Sequence, residues 1–427
     1  MHFQTVCVLG LGYIGLPTAS SFAAHGLKVH GVDTDPRVLQ ELREGMIHNQ
    51  EPGLRELAKR ALDSGNLNLS DLPAESDAFV IAVPTPVGED KRADLRHVIE
   101  AAKAIAPHLR RGNLVMLEST CPPGTTVGTV APILERSGLK AGTDFSLAYT
   151  PERALPGNIV QELTENARVI GGIDRRSAEA GSELYRTFVV GEILLTDATT
   201  AEMVKLMENT YRDVNIAVAN EFSRLAEKQG VDVWEAIRLA NKHPRVNILR
   251  PGPGVGGHCT GVDPWFLVEA SPALSPLIRQ ARAVNDGQPA HAASIIESAL
   301  GKLSGKRIAA LGLAYKSGVN DLRESPAIEV VRHLIAAGAQ VRTWEPFAPD
   351  GSVEGAESVT SLKEAVTGAE AIALVVDHPQ FVELDPQAVA RAMPGRVAID
   401  LRGRWNVGTW RAAGFAVYVL GVGTPNA

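Results

Sequence analysis

The chain has 427 residues, too many for one ordinary core and enough for two to three domains. Hydrophobic residues make up 45% and charged residues 21%, and 42 Lys and Arg against 49 Asp and Glu give a net charge of −7, so no basic field exists to gather nucleic acid or anionic lipid. The three cysteines, Cys7, Cys121 and Cys259, are too few and too scattered for a disulfide scaffold, which points to a reducing compartment.

No stretch approaches about 18 uncharged apolar residues, so no membrane span is expected. Met1-His2-Phe3-Gln4-Thr5 has no basic segment of the signal-peptide kind and runs straight into a strand. A soluble cytoplasmic protein is the expectation.

The first 190 or so residues alternate short apolar runs with helix-length stretches. Val6–Leu9, Val29–Val32, Ala78–Val83 and Leu114–Leu117 read as buried parallel strands with crossover helices between them. Gly10-Leu11-Gly12-Tyr13-Ile14-Gly15 follows the first of these and opens a helix. Its glycines suit a tight turn, a pyrophosphate against the backbone, and close helix–strand packing. The helix N-terminus then offers N–H groups to the phosphate. Asp33 closes the second strand 18 residues beyond Gly15, where a carboxylate accepts ribose hydroxyls and repels a 2′-phosphate. NAD is therefore the expected cofactor, although Arg37 nearby tempers the choice over NADP. Thr85, in Val83-Pro84-Thr85-Pro86, and Thr120, in Glu118-Ser119-Thr120-Cys121, follow strand C-termini and are candidate cofactor contacts.

From Thr199 to about Lys228 a helical period runs without Gly or Pro, with Thr200 as its expected cap. Lys205, Asn209 and Arg212 recur at i, i+4 and i+7 on one face, with Met203, Leu206 and Met207 as apolar neighbours that would partly desolvate them. A Pro/Gly-dense loop, 250–257, leads to Cys259, and more helix runs to about Leu300. A thiol on a glycine-dense loop can approach a substrate closely, whereas Cys7 and Cys121 read as core or structural residues.

From Gly305 the first pattern returns: strands at Ile308–Gly312, Gln340–Trp344, Ala371–Val376 and Val397–Leu401, with a helix Pro326–Ala337. The expected architecture is α/β, with two Rossmann-like doubly wound lobes joined by a long helix and a helical central domain. The expected sections are 1–195 for the dinucleotide, 196–303 for the helical connector with the Cys loop, and 304–427 for the second α/β lobe.

Gly-Leu-Gly-Tyr-Ile-Gly-Leu-Pro at 10–17, Tyr-Thr-Pro-Glu-Arg at 149–153, Lys205-Leu-Met-Glu-Asn209 and Gly256-Gly257-His258-Cys259 together resemble the UDP-glucose/GDP-mannose dehydrogenases, essentially end to end. His243-Pro-Arg245-Val-Asn-Ile-Leu, Pro251–Cys259 and Val262–Phe266 are similar to the branch acting on UDP-N-acetyl-D-mannosamine.

The resemblance implies a four-electron oxidation of a sugar C6 alcohol to a carboxylate, with two NAD⁺ reduced and a covalent intermediate on Cys259. It implies that Lys205 transfers the proton and supports the oxyanion, with Asn209 beside it. It further implies that Asp263 positions Lys205 and water, and that Thr120 and Glu152 hold a water network. Arg153, Ala154, Lys205, Asn209, Arg212, His243, Arg245, Gly256, Tyr315, Lys316 and Arg402 match substrate positions, some of them contributed by a partner subunit. Gly10, Gly12, Tyr13, Ile14, Gly15, Asp33, Thr85, Thr120 and Arg323 match cofactor positions.

The expected ligands are NAD and a UDP-sugar, the expected assembly a homodimer, and no metal is expected. One departure stands out: the UDP-glucose branch carries a second Glu four residues after the one matching Glu152, and this chain has Pro156. Three alternatives remain: the same chemistry on UDP-N-acetylglucosamine, a two-electron hydroxy-acid-type dehydrogenase, and a non-catalytic nucleotide-sugar sensor.

Overall fold

The computed structural model describes residues 3–423 except 48–50, 89, 155–156 and 258. Eight strands form the first sheet: β1 (Thr5–Leu9), β2 (Lys28–Val32), β3 (Leu67–Ser70), β4 (Ala78–Ile81), β5 (Leu114–Leu117), β6 (Ser146–Tyr149), β7 (Arg168–Gly172) and β8 (Ile193–Asp197). Their order is β3-β2-β1-β4-β5-β6-β7-β8, so the winding reverses between β1 and β4. Ligands of open α/β sheets bind at such a reversal, outside the strand C-termini. β4, β5 and β6 are buried at every position, as strands covered by helices on both faces must be. All neighbours pair in parallel except β6 with β7, which are antiparallel.

The second sheet contains β9 (Arg307–Leu311), β10 (Gln340–Trp344), β11 (Glu357–Val359), β12 (Ala371–Leu374), β13 (Val397–Asp400) and β14 (Ala416–Val419). Its order, β11-β10-β9-β12-β13-β14, is wholly parallel and reverses between β9 and β12. Two doubly wound sheets are thus present, as the sequence pattern predicts. Six strands were not legible in it: β3, β6, β7, β8, β11 and β14. Of these, β3, β8, β11 and β14 are sheet edges, where strands need not be continuously apolar.

The long helix spans Ala198–Gln229, 32 residues. Its cap is Asp197 rather than Thr200: the Thr200 N–H donates to Asp197 Oδ1 (2.9 Å) and the Thr200 hydroxyl to Oδ2 (2.6 Å). Ala201, Glu202, Lys205, Leu206, Asn209, Thr210 and Asp213 form its buried stripe, and Met203 and Met207 lie exposed on the other side. The methionines expected to desolvate Lys205 are instead rotated away from it by the helical period.

The chain divides into two compact units, Met1–Glu208 with Trp265–Leu274, and Asn209–Pro264 with Ser275–Ala427. The first holds the eight-stranded sheet. The second holds the six-stranded sheet together with helices Val233–Ala240, Pro276–Asp286 and Gln288–Leu300.

Candidate functional site

In the first unit the glycine loop is built for close approach. Gly10 has φ +91°, and a Cβ there would stand 2.6 Å from the Ala82 carbonyl oxygen. A Cβ at Gly15 would stand 1.8 Å from the Gly10 carbonyl oxygen, so helix Gly15–Ala24 can seat on the turn only as glycine. A Cβ at Gly12 would meet nothing within 4 Å, which is the open side a diphosphate needs. Ile14 is the residue at the helix N-cap, and the first turn carries no acidic side chain to oppose an anion.

Asp33 Oδ2 accepts the Leu11 N–H (2.9 Å) and Oδ1 the Asp35 N–H (2.9 Å), fixing the half-buried carboxylate beside the loop. Each oxygen keeps a second lone pair for a ribose hydroxyl. Arg37, largely exposed, pairs with Asp35 (2.7 Å). These residues fit an NAD-type dinucleotide. The Tyr13 hydroxyl donates to Glu51, whose carboxylate also accepts the N–H groups of Gly157 (2.8 Å) and Ile159 (3.2 Å). The Thr85 hydroxyl donates to the Thr120 carbonyl (2.5 Å), tying together the two loops picked out in the sequence.

Lys205 is 9% exposed and donates to the Glu152 backbone carbonyl (2.6 Å). The Glu152 side chain folds back so that Oε1 accepts the N–H groups of Arg153 (2.6 Å) and Ala154 (2.5 Å). Its Oε2 accepts from the buried Arg168 (3.2 Å). Glu152 is therefore held by three donors. Arg153 itself engages Glu208 (2.6 Å) and the Ala167 carbonyl (2.8 Å). Arg168 pairs with a second carboxylate, Glu118 (3.1 Å), and no local sequence signal marks either residue. Glu118 stands in the same motif as Thr120, and burial is what gives it importance. Pro156 lies outside the described residues.

In the second unit, the Cys259 carbonyl accepts the N–H groups of Val262 (3.0 Å) and Asp263 (2.8 Å), a turn that starts helix Asp263–Ala270. Asn209 Nδ2 donates to Asp263 Oδ2 at 2.6 Å, with both residues buried. Within the second unit the structure thus joins the backbone turn at Cys259 to the buried Asn209–Asp263 pair. Cys259 is partly exposed, whereas burial raises the thiol pKa of Cys7 to about 11 and that of Cys121 well above its ordinary value.

A Cβ at Gly256 would stand 2.5 Å from the Glu324 carbonyl oxygen, and one at Gly257 2.8 Å from the Tyr315 ring. Tyr315 therefore lies against the Cys259 loop. Arg323 holds Asp321 (2.6 Å), and that carboxylate raises the guanidinium pKa further, against the pull of burial. Arg402 pairs with Asp377 (3.1 Å) and lies under Gly252, where a Cβ would stand 2.6 Å from it. Lys316, Arg212, His243 and Arg245 are exposed. Arg250, missed in the sequence, donates to the Arg402 and Gly403 carbonyls (3.3 Å each) and stacks over Trp234.

Three family models match the chain in series: the NAD binding domain of the UDP-glucose/GDP-mannose dehydrogenase family at 4–189, its central domain at 199–287, and its UDP binding domain at 309–407. The chain belongs to this family. It is a dehydrogenase with an NAD binding domain, as the glycine loop and Asp33 indicate. A UDP-N-acetyl-D-mannosamine dehydrogenase of Methanocaldococcus jannaschii is 47% identical over 426 residues, covering 98% of this chain and 97% of that protein. An NDP-N-acetyl-D-galactosaminuronic acid dehydrogenase of Ralstonia solanacearum is 45% identical, covering 95% and 97%. The solved UDP-D-ManNAc dehydrogenase of Pyrococcus horikoshii superposes with a TM-score of 0.92 at 43% identity, covering 99% of this chain and 100% of that one. Among the described residues no helix is long and apolar enough to cross a membrane.

Proposed function

We propose that this dehydrogenase oxidises the C6 hydroxyl of UDP-N-acetyl-D-mannosamine to the carboxylate in two steps through Cys259. The observation that carries the reading is the grouping of the Cys259 turn with the buried Asn209–Asp263 pair. A two-electron alcohol dehydrogenase has no need of a thiol; an oxidation that retains its aldehyde does.

NAD⁺ supplies the hydride acceptor for both oxidations, held by Gly10, Gly12, Tyr13, Ile14, Gly15 and Asp33, with Thr85, Thr120 and Arg323 as further contacts. Lys205 takes the C6 hydroxyl proton and, as an ammonium, supports the oxyanion with Asn209. The Cys259 thiolate adds to the aldehyde, and the resulting thiohemiacetal is oxidised to a thioester. Water cleaves the thioester, returning the thiolate and releasing the acid. In this reading Asp263 accepts from Asn209 (2.6 Å) and orients that water. Arg402, Lys316 and Tyr315 serve the UDP moiety. Arg153, Ala154, Arg212, His243, Arg245 and Gly256 serve the remainder of the substrate.

The assembly we favour is a homodimer built on the long helix. Met203, Met207, Tyr211, Val218, Phe222 and Leu225 form an exposed stripe at helical spacing, with Tyr211 71% exposed. The sections 1–195, 196–303 and 304–427 serve NAD, the Cys loop with dimerisation, and UDP in turn. The product suits a surface polysaccharide made from cytoplasmic precursors.

The names of the Methanocaldococcus and Pyrococcus relatives support the mannosamine epimer. The test is kcat/KM for UDP-N-acetylmannosamine against its glucosamine and galactosamine counterparts. A preference for mannosamine of about tenfold or more is expected, equal to about 1.4 kcal/mol in the transition state. A reversed preference reassigns the substrate. Ligand binding without any NADH would make the chain a nucleotide-sugar sensor.

A further inference from the structure

A buried arginine and two buried acidic side chains lie next to the Lys205 contact in the first unit. Arg168, on β7, is 5% exposed in its side chain, with Glu118 at 0% and Glu152 at 8%. One arm of its guanidinium donates to Glu118 Oε1 (3.1 Å) and Thr150 Oγ1 (3.2 Å), the other to Glu152 Oε2 (3.2 Å). The Tyr185 ring lies against the guanidinium, 4.5 Å from its centroid, and the Tyr185 hydroxyl donates to Glu118 (3.1 Å). Thr18, from helix Gly15–Ala24, donates to the other Glu118 oxygen (3.2 Å).

Two carboxylates sharing one guanidinium out of water are costly unless geometry and further hydrogen bonds compensate. Here the compensation runs in one direction. The arm on Glu152 fixes a carboxylate whose other oxygen gathers the next two backbone N–H groups. That turn sets the orientation of the Glu152 peptide carbonyl, which accepts the Lys205 ammonium.

We infer that Arg168 is a positioning residue for Lys205, acting through the Glu152 side chain and carbonyl, with Glu118 and Tyr185 holding the guanidinium in place. The inference rests on the proposed role of Lys205 but makes a claim of its own about where the amine sits. It also gives Glu152 a structural duty apart from any contact with water. Lysine at 168 cannot replace the fork, since a point ammonium cannot bridge both carboxylates and Thr150 in fixed directions.

The test pairs a chemical readout with a kinetic one on the full chain. In Arg168→Lys, reductive methylation of Lys205, followed by mass spectrometry against the exposed Lys302, should proceed severalfold faster than in the parent. kcat should fall about 10²-fold while both KM values stay within about threefold, as expected for a misplaced reacting group. The pH dependence of kcat should also shift. In Glu118→Gln, which keeps an acceptor for Arg168, Lys205 labelling should stay at the parent rate. If Arg168→Lys does not fold, the double variant Arg168→Met/Glu118→Leu removes the cation with one of its two carboxylates, leaves Glu152 without its guanidinium, and should show the same faster labelling. Unchanged Lys205 labelling in a folded Arg168 variant overturns the inference. Labelling needs no substrate, so faster labelling in a protein that oxidises no UDP-sugar would sustain the positioning claim and sink the proposed function instead.

Discussion

The two sheets solve the same backbone problem with opposite consequences for a ligand. In each, the strand leading into the first crossover is followed at once by a glycine, Gly10 or Gly312, with φ +91° and +94°. In each, a carboxylate just after the next strand accepts loop N–H groups: Asp33 from Leu11 (2.9 Å), and Glu345 from Leu313 (2.7 Å) and Ala314 (2.9 Å).

Asp33 remains half-buried, beside the open space at Gly12. Glu345 is 4% exposed and closed off by the fully buried His378, bonded at 3.0 Å, with Phe347 stacked on the imidazole. Burial pushes the Glu345 pKa up, but His378 and the backbone donors outweigh it and bring the net value below the usual range. The first loop also runs directly into helix Gly15–Ala24, whereas the second reaches its helix only at Pro326. The chassis is shared. The carboxylate in the second lobe is occupied by the protein's own backbone and His378, so it is not open to a ribose as Asp33 is.

The largest expected effect is that of Cys259→Ser, which should lower acid formation by at least about 10³-fold while leaving NAD binding intact. Acid formation at the parent rate would remove the thiol from the reaction. Lys205→Ala should cost about 10²–10⁴-fold in kcat, the usual range for a lost proton-transfer group, and a near-normal kcat would exclude that role.

The comparison of lobes is sharpened by a matched pair of substitutions. Asp33→Asn should weaken NAD⁺ binding by about tenfold or more, roughly 1.5–3 kcal/mol for hydrogen bonds to a charged group, with little change in Tm. Glu345→Gln should leave NAD⁺ affinity unchanged and lower Tm instead, because it unbalances a buried pair. Calorimetric titration and thermal melts read both, and a loss of NAD⁺ affinity in Glu345→Gln would break the distinction.

The smallest effect is one of pH. Burial, ahead of the opposing pull of Arg168, raises the pKa of Glu118 to about 7. The folded state thus holds a proton that the unfolded chain releases near pH 4.5, so this residue's contribution to stability declines as pH rises from about 4.5 to 7. Relative to Glu118→Gln, the parent should lose stability over that window, which denaturant midpoints at several pH values would detect.

The sequence made the apolar central strands legible because burial on both faces leaves an uninterrupted signature, as in Ala78–Ile81 and Leu114–Leu117. It hid edge strands such as β8, Ile193-Leu194-Leu195-Thr196-Asp197, whose middle residues face solvent. The i, i+4 spacing put Lys205 and Asn209 on one face, and burial agrees. The same spacing extended to Arg212, which is exposed. Arg168 was invisible because nothing local distinguishes a buried strand arginine from an edge charge. Its partners Glu118 and Glu152 are 50 and 16 residues away, brought together only by the sheet.

The central claim is a four-electron oxidation through Cys259. It is tested most directly by the moles of NADH formed, at completion, per mole of limiting UDP-N-acetylmannosamine. The account predicts a yield near two. A yield near one, with the aldehyde released, would contradict it.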